Sequence, residues 1–175
     1  MPQKTITPDR YARDAESWLT RGDIIYRASR HLFDEGNTDP SLYFVAVTLA
    51  HDSLEVLLKG ILIREGMVSF DPMLVKRLPR DSEIKKEDCV WGHSLMELAE
   101  ELATRRPDFD FAAQMDFKSI LLPAPVTVRN ALQYFEPFFA ELRYPRALEQ
   151  VGGFGGGDEM MLDELVDRLK ALTGP

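Results

Sequence analysis

Apolar residues recur every three or four positions over most of this chain, the mark of helices with one buried face. From about Asp9 to Phe33, Tyr11, Ala15, Trp18, Gly22, Ile25, Ser29 and Leu32 form one stripe, with Ala12, Leu19, Tyr26 and Phe33 beside it. Pro8 suits the start of that helix, and the turn-rich run Asp34 to Pro40 ends it. A second segment, Pro40 to Glu65, carries Tyr43, Ala46, Val47, Ala50, Leu54, Leu57, Leu58 and Ile61 on one face. Phe44, Val45, Leu49, Val56 and Leu62 widen that face to most of the circumference. Such a helix belongs at the centre of a bundle. Asp39 is placed to cap it, Pro40 to take its first position and Gly66 to end it.

The period then lapses. Met67 to Gly92 holds Pro72, Pro79 and a charged run, and reads as a long loop insertion with one helical turn near Met73 to Arg77. Ser94-Leu95-Met96-Glu97 has the form of a capping box and opens a short helix to about Arg105, stopped by Pro107. A weaker helix is predicted over Asp108 to Leu121. Another spans Val126 to Leu142, kinked or split by Pro137. The glycine-rich stretch Val151 to Gly157 links to a last helix, Asp158 to Leu172. No segment has the pattern of a strand. The expectation is an all-α, up-and-down bundle of five to six helices forming one domain over residues 1–175.

Composition narrows this picture. With 45% hydrophobic and 29% charged residues the chain is ordinary globular material. Its net charge of −8 argues against general attraction to nucleic acid or anionic lipid. The single cysteine, Cys89, suits a reducing compartment. No apolar signal core opens the sequence, and the stretch Leu42 to Ala50 is too short to span a bilayer. A cytoplasmic location without membrane attachment is expected.

Candidate chemistry starts on the central helix. His51, Glu55 and Lys59 are spaced by four, and Asp52 joins Glu55 and Lys59 at three and seven. Glu55 four before Lys59 is the favourable orientation of a helical ion pair, worth roughly 0.2–0.5 kcal/mol on an exposed face. The set is either a polar seam lining a site or a structural pair on a partly solvated strip. Arg129, in the first turn of its helix, and Tyr134, five positions on, are either a phosphate-binding pair or a surface arginine beside a core tyrosine. The glycine run before Asp158-Glu159 is not a phosphate loop, because it has no lysine and its helix opens with two acids. His31, His51 and His93 are scattered and Cys89 stands alone with His93, so no metal site is expected. No cofactor and no nucleophile motif are expected either.

Ala50-His51-Asp52-Ser53-Leu54-Glu55-Val56-Leu57-Leu58-Lys59-Gly60-Ile61-Leu62 resembles the signature second helix of the HEPN superfamily. Gly92-His93-Ser94-Leu95-Met96-Glu97-Leu98 resembles the Gly-His-x-Leu segment that opens the next helix in many members, and Leu142-Arg143-Tyr144-Pro145 the Arg-Tyr-Pro before the final one. The resemblance runs in the family's order from Asp9 to Leu172. It implies a helical bundle, often a homodimer, and adds His93, Arg143 and Tyr144 to the binding candidates. Many members are metal-independent ribonucleases of toxin–antitoxin or phage-defence systems; others accompany a nucleotidyltransferase or act as binding modules. Active ribonucleases carry Arg-x(4–6)-His, the arginine holding phosphate and the histidine assisting attack by the 2′-hydroxyl. Here Arg129-Asn130 matches the start of that motif, but Tyr134 stands where histidine belongs, and Arg27 to His31 has only three residues between. The first expectation is therefore a non-catalytic HEPN-like dimer. The alternatives are a divergent endoribonuclease, using Arg129 with Tyr134, His51 or His93, and an acidic inhibitor of a basic toxin.

Overall fold

The computed structural model describes residues 14–69, 85–117, 125–138 and 157–174. Among these the protein is all-α, with five helices: α1 (Ala15–Gly36), α2 (Leu42–Arg64), α3 (Leu95–Arg105), α4 (Val128–Phe135) and α5 (Asp158–Ala171). The expected bundle core is present: α2 packs on each of the other four helices. Its Ala46, Ala50, Leu54, Leu58, Ile61 and Leu62 have no exposed surface. No helix among the described residues is long and apolar enough to cross a membrane.

Residues 1–13 lie outside the described structure. Asp14 caps α1, its Oδ1 accepting the Ser17 amide at 3.1 Å. The helix runs three residues beyond Phe33 to Gly36, which is buried against the Tyr43 ring, where a Cβ would come within 2.7 Å. Asp39 is not the cap of α2. The carbonyls of Asp39 and Pro40 accept from Leu42 and Tyr43 in a tight turn, and the Asp39 carboxylate accepts the Ser41 amide at 3.0 Å. Leu42 therefore begins α2 and Pro40 precedes it. The other end is as expected: Gly66 has φ +94°, and the amides of Gly66 and Met67 reach back to the carbonyls of Ile63 and Leu62. This is the Schellman ending that favours glycine.

α1 and α2 are antiparallel and unusually close. Gly22 lies against Leu57 and Gly60 against Leu19, each so near that an added Cβ would meet the neighbour's side chain at 2.7–2.8 Å and its backbone nitrogen at 3.2 Å. Farther along, Ser29 Oγ donates to the Ala46 carbonyl at 2.8 Å.

Three expectations are corrected. The 67–92 segment is not bounded by loop alone: Val68–Ser69 (β1) and Cys89–Val90 (β2) pair in parallel, Val68 with Cys89 and Ser69 with Val90, after a 3-10 turn at Lys86–Asp88. The turn expected near Met73 to Arg77 lies outside the described residues. Asp108 to Phe117 is not helical. The amides of Met115, Val128 and Arg129 bond the carbonyls of Val126, Ala113 and Phe111, making an extended pairing around a Gln114–Thr127 bridge. Phe109, Phe111, Ala113, Met115 and Phe117 alternate with exposed residues, a period of two that suits extended chain. That pairing also holds Val126 and Thr127 outside α4, whose start is a full capping box between Thr127 and Asn130. A turn at Glu136–Pro137 ends α4, and residues 139–142 of the expected helix lie outside the described structure.

Candidate functional site

His51, Glu55 and Lys59 of α2 are withdrawn from water. His51 has no exposed surface, and Glu55 and Lys59 keep 7% each. Lone charges at such depth are costly, so they must be paired. Lys59 Nζ donates to Glu55 Oε1 at 2.7 Å, the i, i+4 bond expected from the spacing. The second partner comes from far along the chain. Gly92, at φ +90°, turns the backbone out of β2 into α3, and His93 Nδ1 then lies 3.1 Å from both Glu55 oxygens. A carboxylate held by an ammonium only accepts, so Nδ1 is the donor in this contact. The His93 side chain is 58% exposed while that of Glu55 is 9% exposed, so the imidazole forms the solvent side of a buried ionic centre. Asp52 completes the group, its Oδ1 3.7 Å from His51 Nδ1. The donor atoms of His51, Asp52 and Glu55 all lie within 4.8 Å of one another.

Position 93 is held firmly. Ser94 caps α3, its Oγ accepting the Glu97 amide at 3.1 Å. The first amides of α3, Leu95 and Met96, donate to Glu136 Oε2 at 2.6 and 3.2 Å. Glu136 thus fills the anion-binding end of α3 from the end of α4. Nothing local to Glu136 marks this role in the sequence.

Arg129 and Tyr134 do not converge. Five positions turn a helix by about 500°, which leaves the two side chains roughly 140° apart. Arg129 extends to Glu100, with NH1 3.6 Å from Oε1, and its guanidinium lies 4.7 Å over the Phe111 ring. Tyr134 faces α5. Its hydroxyl donates to Asp158 Oδ2 at 2.9 Å, and its ring meets Phe135 and Phe138 edge-on. Burial, with the Asp158 carboxylate alongside, holds the Tyr134 phenol protonated far above its ordinary range. It is no base at neutral pH. Arg143 and Tyr144 lie outside the described residues.

Asp158 carries a consequence of its own. Burial pushes its carboxyl from 3.8 up to about 6, against the bond from Tyr134 and with a small addition from Glu159. A folded value above the unfolded one means that this group's stabilisation is complete below about pH 4 and is lost as pH rises through 6. Asp158→Asn keeps an acceptor for Tyr134 and removes the charge. The variant is expected to be more stable than the parent by about 1–2 kcal/mol at pH 7.5, with the gap closing towards pH 5. Urea unfolding at the two pH values measures it; a gap that does not change with pH would refute the assignment.

Comparison with protein-family models, curated proteins and solved structures finds no match to this chain.

Proposed function

We propose that the chain is a non-catalytic, HEPN-like module that pairs with a second copy of itself and acts by binding a partner, such as a nucleotidyltransferase or a component of a toxin–antitoxin or defence system. The observation that carries this reading is the engagement of Tyr134. Its hydroxyl is bonded to Asp158 and its ring is packed among phenylalanines, while Arg129 is directed to Glu100 and Phe111. These contacts send the two positions of the would-be ribonuclease pair to different partners. The resemblance to the family is supported by Glu55, Lys59 and His93, which belong to two separate signature segments and meet in one buried centre.

One observation favours a second reading, a divergent metal-independent endoribonuclease. The half-exposed imidazole of His93, with Nδ1 on a buried carboxylate, has the arrangement of a general base. Pure protein incubated with mixed RNA separates the two. The binding-module reading expects no cleavage above a blank, and equal results for the parent, Arg129→Ala and His93→Ala. Cleavage lost in His93→Ala would establish the second reading. Light scattering after size exclusion should give twice the chain mass at micromolar concentration; a strict monomer removes the pairing.

A further inference from the structure

From the grouping on α2 we infer that His51, Asp52 and Glu55 form a binding site for a divalent transition-metal ion, with His93 as a positioning residue. The inference goes beyond the binding-module reading and does not depend on it. The geometry comes from the helix. Residues i and i+4 lie on one face, so His51 and Glu55 form a two-donor clamp, and Asp52 adds a third donor from the adjoining side. An ion with bonds of about 2.0–2.2 Å places neighbouring ligand atoms about 3.3–3.6 Å apart in a tetrahedron. His51 Nδ1 and Asp52 Oδ1 stand 3.7 Å apart, close to that spacing, and the whole donor set lies within 4.8 Å, so small side-chain rotations close it.

Electrostatics favours a dication. Among the described residues the group holds two carboxylates, Asp52 and Glu55, and one ammonium, Lys59, which leaves a negative balance beside the His51 imidazole in a place mostly withdrawn from water. Lys59 holds Glu55 Oε1, and His93 Nδ1 stands 3.1 Å from both oxygens, so coordination uses a remaining lone pair of Oε2. The His93 bond then fixes the carboxylate's orientation, as outer partners of metal ligands commonly do. The Asp52 side chain, 30% exposed against 0% for His51, supplies the way in. Mixed nitrogen and oxygen donors that include an imidazole select zinc, cobalt, nickel or manganese over calcium and magnesium, which prefer oxygen alone.

The test uses the full chain without a histidine tag. Titration with Co²⁺, followed by its visible absorption, and with Zn²⁺, followed by calorimetry, should show one ion per chain at micromolar or tighter affinity. Asp52→Asn, a partly exposed position whose change spares the fold, should weaken binding at least about tenfold. Glu55→Gln should abolish it, circular dichroism verifying that the helices remain. His31→Gln, on the exposed side of α1, should leave it unchanged. The proposal is overturned by the absence of stoichiometric binding, by equal affinity in Asp52→Asn, or by loss in His31→Gln, which would mark an adventitious surface ion. None of these readouts involves RNA or subunit number, so failure here is distinct from failure of the proposed function.

Discussion

Replacing Lys59 with methionine should lower the stability of the fold by about 3–5 kcal/mol, because it strands the Glu55 carboxylate inside α2. Both side chains of the pair are only 9% exposed. Methionine fills the volume of the lysine stem, so the loss reports charge rather than a cavity. His93 remains on Glu55, but with 58% of its side chain in water it offsets only part of the deficit. For a chain of this length the change corresponds to roughly 10 °C in Tm. The double variant Glu55→Gln/Lys59→Met should recover much of the loss, since a buried pair is costly mainly when broken. Urea unfolding of the parent, the single variants and the double variant gives the full cycle. If Lys59→Met stays within about 1 kcal/mol of the parent, the pair is more hydrated than its burial indicates.

The second large effect is steric. Gly22→Val should destabilise by about 2–3 kcal/mol, although valine is the better helix former. A side chain at position 22 meets Leu57 Cγ at 2.7 Å and its backbone nitrogen at 3.2 Å. Leu57 is 2% exposed and cannot swing away, so α1 must lift from α2. Gly22→Ala should cost less, about 1 kcal/mol, because up to about 1 kcal/mol of helix propensity is regained. Arg21→Ala, one residue away on the exposed side, should change stability by less than about 0.5 kcal/mol. Thermal unfolding of the three variants would decide it; a valine variant as stable as the parent would refute the close crossing.

How much of this was legible follows the range of each signal. α1, α2, α3 and α5 are written in local periodicity, and Gly66 and Ser94 announce their roles because a helix end is decided within a few residues. The Glu55–Lys59 bond is likewise local. Its third member, His93, was named for its motif, but its arrival on Glu55 depends on how α3 docks against α2, which no spacing encodes. The same holds for Tyr134 with Asp158 and for Glu136 on the start of α3. The 109–117 segment differs: its period of two is present in the sequence and does not suit the helix expected there.

The parallel bridge of β1 and β2 has a consequence for how this protein can change. It fixes Ser69 beside Val90 at the edge of the bundle, so the two ends of the intervening stretch are held in place by the domain itself. Lengthening such a closed excursion costs little, about 0.6 kcal/mol for each doubling. The clasp therefore uncouples the length of the stretch between the strands from the position of His93, three residues beyond Val90.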